Sequence, residues 1–303
     1  MTSSIVGINS VIKYKIYRYD YVLENGQFVP DATSPLKYKL YSYDGKNGVI
    51  IEKDEKTLSG GGLIIDFDRY KSRYAVLTSS HLVKPNDTTD VYYVDERGIP
   101  TDVLFAKYIV QDVVVSVRGR SNWRARAEVI THDSATDLAV IDVQTSNYLG
   151  FEFPNEVGYD LDLSWGDWVF VFGYPRGIKQ VTGGWISEAP YSGTLTVDAV
   201  VRFGYSGGPV FAIARDGARL ILVGLIKSVP RSSLEFVAPK NRLPMGYELT
   251  MDDLENLVVQ HEVLVDYGTA FFVSPKAIKK FFRTHRDEIE ANGIQLETKY
   301  YGK

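Results

Sequence analysis

The 303-residue chain contains no cysteine, so it can form neither a disulfide nor a thiolate metal site, and packing and hydrogen bonding must stabilise it. Only four histidines occur, and three of them, His132, His261 and His285, stand at no metal-ligand spacing. We assign those three surface or core roles and expect no metal and no cofactor. Charge of one sign is not in excess: 34 Lys and Arg face 38 Asp and Glu, giving a net charge of −4. No general basic field exists to gather nucleic acid or an anionic membrane, and neither is expected as a partner. A run of about 18 apolar residues is also missing, and the first 22 residues lack a basic segment followed by an unbroken apolar core. The expectation is a cytoplasmic chain, or a secreted one already stripped of its signal. Internal repeats and low-complexity segments are absent.

What is present leans toward strands. The chain is 45% hydrophobic and 24% charged, with 21 Tyr and 14 Phe, residue types that suit a pleated, half-buried surface. Residues 9–21 alternate apolar and charged side chains, the signature of a strand with one wet face. Residues 22–58 hold Pro30, Pro35, Asp44-Gly45 and Asn47-Gly48 and read as an added hairpin. Ser59-Gly60-Gly61-Gly62 leads into a buried strand, and residues 74–78 form another that ends at His81. Strands are expected at 91–94, 103–109 and 113–117, followed by the basic stretch Arg118, Arg120, Arg124 and Arg126, read as a solvated loop. Asp137 opens the apolar strand 138–143, and 144–164 reads as a connector between two lobes.

Strands at 168–173, 181–187 and 195–201 follow, and a hairpin over 210–226 comes directly after a glycine turn. Residues 229–266 contain Pro230, Pro239 and Pro244; Thr250-Met251-Asp252-Asp253 then predicts a short helix over 254–260. After a last strand, Ser274-Pro275 starts a helix whose apolar stripe is Ile278, Phe281, Phe282 and Ile289 and which ends near Gly293.

Chemistry concentrates at residues 204–210, Gly-Tyr-Ser-Gly-Gly-Pro-Val. Glycines on both sides of Ser206 allow a sharp turn that presents a hydroxyl and lets a substrate come close. A serine hydroxyl is a weak nucleophile at neutral pH unless a base lies within hydrogen-bond reach and a third group orients that base. His81 at a strand end and Asp137 at a strand start are the coherent partners, in the order His, Asp, Ser. An α/β-hydrolase would put its histidine last and follow the serine with a helix.

Together with the blocks Ser59–Asp66, Leu77–Val83, Thr136–Val140, Gly166–Pro175, Asp198–Val200, Gly204–Pro209 and Tyr267–Pro275, these residues resemble the trypsin-like serine proteases, and within them the HtrA/DegP-type protease domain. The resemblance runs from about residue 8 to about 282 and implies an all-β fold of two six-stranded antiparallel β-barrels with a C-terminal helix. It places the first barrel in 1–150, the second in 151–275 with an insertion near 229–266, and the helix and tail in 276–303.

It also implies a serine endopeptidase in which His81, Asp137 and Ser206 form the triad and the N–H groups of Gly204 and Ser206 the oxyanion hole. The substrate pocket would be floored by Val200, bordered by Phe203 and walled by Lys227, Ser228 and Val229. With no carboxylate at the floor, small or medium apolar residues are expected before the cut, the alternative being an acidic one favoured by Lys227. Arg202-Phe203 stands where HtrA-type chains carry Asn-Pro, and no PDZ module follows the final helix in this sequence. Polypeptide is the expected partner, with an activating protein or a homo-oligomer as further ones. The competing reading is a catalytically silent or partner-activated protease-fold module that binds peptides or proteins.

Overall fold

The computed structural model describes residues 2–43, 46–95, 99–119, 123–159, 163–188, 191–217, 219–239, 250 and 257–302. Its first half is built from seven strands: β1 (Ile5–Tyr19), β2 (Val49–Asp68), β3 (Arg73–Thr78), β4 (Thr88–Val94), β5 (Pro100–Arg118), β6 (Arg124–Asp133) and β7 (Leu138–Gln144). They are hydrogen-bonded in the order β1-β2-β3-β7-β6-β5, and β1 also pairs with β5, which closes a six-stranded antiparallel barrel with β4 added outside β5. Closure buries one side-chain set of each strand. On β1 these are Ile8, Ile12 and Ile16, while Lys13 faces water.

The second half forms another closed barrel from β8 (Trp168–Gly173), β9 (Gln180–Ser187), β10 (Thr194–Asp198), β11 (Pro209–Ile213), β12 (Leu220–Ser228) and a last strand, Ala270–Val273. Between β12 and that last strand, the insertion rises as an isolated two-stranded ribbon, β13 (Arg231–Pro239) with β14 (Leu257–Val265); the last strand is β15. The all-β, two-barrel expectation holds.

Three local expectations change. Residues 49–58 extend β2 and pair with Ser10 to Tyr19 of β1, so the added hairpin near 22–58 is confined to the region before them, where Leu23–Glu24 pairs with Gln27–Phe28. The expected strands 103–109 and 113–117 are one continuous β5, carried past Gln111 by a bulge against the long β1. Residues 257–260 lie in β14 rather than a helix, because Leu257, Val258 and Val259 pair with Pro239, Ala238 and Val237. The remainder of that expected helix, 254–256, falls outside the described residues.

The C-terminal helix forms as read: Ser274 Oγ accepts the Ala277 N–H, Pro275 occupies the first turn and the helix runs Pro275–Ala291. Its stripe of Ile278, Phe281, Phe282 and Ile289 is buried in a core shared with Ile5 and Leu63 of the first barrel and Phe211 and Leu225 of the second. At about 2 kcal/mol for each fully buried large apolar side chain, that stripe binds helix and barrels into one core. Separate clusters fill the two barrel interiors.

Candidate active site

His81 stands where β3 leaves the barrel. Thr78 Oγ1 donates to Gly61 O at 2.7 Å, and Ser79 Oγ donates to Ile226 O of the second barrel at 3.2 Å, so the strand end is fastened across the interface. The short helix Ser80–Val83 follows, anchored by buried Leu82 and Val83. Asp137, just before β7, adopts φ +61°, a left-handed conformation that Asp tolerates better than most residues. That turn aims its carbonyl at the Ser80 N–H, 3.1 Å away, and its carboxylate at His81. Asp137 Oδ1 accepts the His81 backbone N–H at 2.9 Å, and Oδ2 lies 2.8 Å from ring Nδ1. Asp137 is only 6% exposed. A ring that donates Nδ1–H to a carboxylate presents Nε2 as its acceptor nitrogen.

The serine turn is built with equal economy. Tyr205 N–H donates to Arg202 O at 3.2 Å, and Gly204 at the third position has φ +103°, which makes this a type II turn. The carbonyl of Gly204 accepts the Tyr174 N–H at 2.8 Å, and a Cβ on Gly204 would lie 2.5 Å from Pro175 Cα. Gly207 N–H donates to Ile226 O and Gly208 N–H to Tyr205 O, both at 2.8 Å. The N–H groups of Gly204 and Ser206 have no acceptor among the described residues, and neither does the Ser206 hydroxyl have a hydrogen bond. Ser206 O accepts the Gly61 N–H at 2.8 Å. A Cβ on Gly60 would collide with that same oxygen and with Leu82, which explains the glycine run entering the buried part of β2.

These groups line one open cleft of about 1210 Å³. His81, Asp137, Gly204 and Ser206 border it, and so do Val200, 58% exposed, and Phe203, 71% exposed. The other three expected pocket residues are not brought there. Lys227 Nζ turns to Ala135 O at 3.5 Å, Ser228 pairs with Phe271 in β15 and Val229 packs on the second barrel's core. Tyr267 and Arg231, at the foot of the ribbon, line the cleft instead, as do Arg176 and Arg202. Tyr267 was within reach of the sequence, since it opens the last matching block; its carbonyl accepts the Val201 N–H at 3.0 Å. Nothing local marks Arg176, which sits at φ +55° in the turn Pro175–Gly177.

One arginine of the basic stretch is not merely solvated. Arg118 Nη1 donates to Gly177 O at 2.8 Å, while Tyr174 Oη and Lys179 Nζ both donate to Ile5 O, at 3.0 and 2.6 Å. Three contacts thus tie the first barrel to the loop that holds Gly204. Burial pushes the Tyr174 phenol well above its ordinary value, which keeps it a donor. Arg124 and Arg126 are exposed, and Arg120 lies outside the described residues. His132 Nδ1 lies 3.4 Å from Ser80 Oγ, and His285 Nδ1 2.9 Å from Thr131 Oγ1, tying the C-terminal helix to β6. The His261 side chain lies outside the described residues.

A His–Asp pair and a serine turn facing one cleft between two barrels invite comparison with known proteins. The family model described as trypsin-like peptidase domain matches residues 60–225, more than half of the chain and the span that carries His81, Asp137 and Ser206. The chain belongs to this family. Among curated relatives it is similar to a probable periplasmic serine endoprotease, DegP-like, of Rhizobium meliloti, 37% identical over 161 residues, which are 49% of this chain and 30% of that protein. A protein of the same description from Brucella suis is 29% identical over 169 residues, 52% of this chain and 26% of that one. The matched stretch is therefore less than a third of either relative's length. Among solved structures, an HtrA-type protease, AlgW, with a decapeptide aligns over 95% of this chain and 65% of its own at 15% identity and a TM-score of 0.46.

The expectation of a cytoplasmic chain is overturned here, since the family relatives are named periplasmic. That expectation leaned on missing leader features. A chain without cysteine is compatible with either redox compartment, so its composition carried no argument for the cytoplasm.

Proposed function

We propose that the protein is a serine endopeptidase that works outside the cytoplasm on polypeptide substrates. The observation that carries this reading is the 2.8 Å pairing of His81 Nδ1 with Asp137 Oδ2 on the same cleft as Ser206, within the trypsin-like match. In this reading Ser206 Oγ attacks the scissile carbonyl carbon while His81 Nε2 takes its proton. Asp137 keeps the ring in that tautomer and stabilises the imidazolium that forms. The N–H groups of Gly204 and Ser206, which have no other acceptor among the described residues, receive the developing oxyanion, a contribution of about 3–4 kcal/mol for each preorganised donor. His81 then protonates the leaving amine, and water resolves the acyl-enzyme by the reverse sequence.

The exposed apolar surfaces of Val200 and Phe203, with no carboxylate beside them in the cleft lining, suit a small or medium apolar side chain before the cut. The division into a first barrel over 1–150, a second over 151–275 and a C-terminal helix over 276–303 belongs to the same proposal. The test is labelling by a fluorophosphonate probe, with wild type compared against Ser206→Ala. Labelling of the wild type that the variant abolishes is expected; equal labelling of both, or none of either even with a cleavable peptide present, would refute the assignment.

One observation favours a second form of this reading. The Ser206 hydroxyl makes no hydrogen bond to His81 among the described residues, so the Ser–His contact is open at rest. In that form substrate or a partner completes the triad. Labelling that rises on adding a cleavable peptide would favour it over a constitutively assembled site.

A further inference from the structure

We propose that the cleft selects polypeptide segments bearing acidic side chains on either flank of the apolar residue seated by Val200 and Phe203. The proposal rests on the reading of the cleft as a peptide-binding site and adds the substrate class.

The chain as a whole is acidic, with a net charge of −4, yet its cleft is not. Five cationic side chains line it: Lys56 and Lys84 from the first barrel, and Arg176, Arg202 and Arg231 from the second. The one carboxylate among the described lining residues is Asp137, which is buried and already committed to His81. All five cations are exposed. Lys84 is partly offset by Asp87 at 3.3 Å. The side chains of Lys56, Arg176, Arg202 and Arg231 form no ion pair or hydrogen bond among the described residues. Asp54, the next carboxylate along β2, pairs across the strands with Tyr14, beyond Lys56, and does not line the cleft.

A concave surface walled by low-dielectric barrels focuses the field of such a set toward its floor. The cations come from both barrels and share the lining with the apolar groups of Tyr14, Val200, Phe203 and Tyr267, which fits an extended chain of mixed apolar and acidic residues better than a uniform polyanion. Arg202 also stands in the turn that carries Gly204, and Arg231 at the foot of the ribbon, so both lie at the rim of the cleft and neither is spent inside the fold.

The test uses the full chain as Ser206→Ala, so that binding is read without cleavage. Fluorescence anisotropy is measured with three peptides that share an apolar centre and differ only in flanks: Asp/Glu, their amides Asn/Gln, or Lys. Exposed ion pairs are individually weak, so two or three acting together are expected to favour the acidic peptide over its amide by about tenfold. The Lys peptide should bind more weakly than the amide. The preference should shrink as salt cuts the Debye length from about 10 Å at 0.1 M to about 3 Å at 1 M. Arg202→Gln with Arg231→Gln should lower the acidic-to-amide ratio severalfold, and Lys56→Gln alone by less. Equal affinities, a reversed order, or no binding of any peptide would overturn the proposal. So would displacement of the acidic peptide by a single-stranded DNA of equal charge at the same concentration, which would make the cleft a general polyanion site. Fluorophosphonate labelling of the wild type is read separately, so a loss of the protease reading shows there and leaves the anisotropy result standing.

Discussion

Asp137 holds His81 at two points, accepting its backbone N–H at Oδ1 and facing its ring Nδ1 at Oδ2, 2.9 and 2.8 Å away. The left-handed backbone of Asp137 makes both possible, because it turns the carbonyl toward Ser80 and the carboxylate toward the histidine at once. Orientation and support of the imidazole therefore come from one residue.

Two substitutions at that position should separate backbone from chemistry. Asp137→Asn keeps an acceptor for the His81 N–H and tolerates positive φ, but favours the wrong tautomer of the ring. We expect kcat to fall by about 10⁴-fold, as in other Ser–His–Asp sites, with thermal stability nearly unchanged. Asp137→Ala should add a stability loss of about 1–2 kcal/mol from forcing alanine into a left-handed conformation. Peptide turnover and thermal melts measured on the same preparations check both, and turnover by the asparagine variant near the wild-type rate would contradict the role.

The turn proposed to receive the oxyanion is equally specific. Gly204→Ala places a methyl against Pro175 Cα in a residue with φ +103°, so the turn must change form and lose the direction of its N–H. A fall in kcat of about 10²–10³-fold is expected, the effect of losing one oxyanion donor, while the far-ultraviolet spectrum stays that of the wild type. Retained turnover would mean that Gly204 does not supply a donor.

The clamp at Ile5 predicts non-additivity. Tyr174→Phe deletes one donor to Ile5 O, but Lys179 Nζ still donates there, so the cost should be about 1 kcal/mol. Lys179→Met alone should cost about as little. Together they leave a buried carbonyl without either donor, and the double variant should lose more than the sum of the two. Chemical denaturation of the four proteins in the cycle measures this, and strict additivity would show that the two donors act independently.

A pH-dependent prediction follows from Asp66. Burial raises its carboxyl above the ordinary value, with Asp68 and Glu297 nearby adding to the effect against the Gln295 N–H that it accepts at 3.3 Å. A carboxyl raised in the folded state binds its proton more tightly folded than unfolded. Its contribution to stability is thus fully present below the unfolded value near 3.9 and is lost as pH rises through the higher folded value. Asp66→Asn, which keeps an acceptor for Gln295 without the charge, should melt higher than wild type at neutral pH. That advantage should vanish below about pH 4. An advantage that is constant with pH would show that the charge is not its cause.

Much of this molecule was legible before any coordinates, and the reasons are local. Strand alternation, the glycine turn at Ser206, the capped start at Ser274 and the order His81, Asp137, Ser206 are all written in short stretches whose chemistry has few alternatives. Misreadings arose where a partner distant in sequence decided the outcome. Leu257 to Gln260 became a strand because residues 236–239 lie beside them, and residues 49–58 became part of β2 because β1 is long enough to pair with them. Lys227 looked like a pocket wall and instead reaches Ala135 O of the first barrel.

The sequence by itself determined the fold class, the catalytic candidates and the absence of any disulfide, since each depends on residue type and near-neighbour spacing. Only the tertiary structure decided which backbone groups remain open around Ser206, that Arg118 reaches Gly177 across the barrels, and that Lys56, Arg176, Arg202 and Arg231 face a single cleft. The longest of those separations spans 175 residues, from Lys56 to Arg231, and only the closure of two barrels against each other brings such residues together.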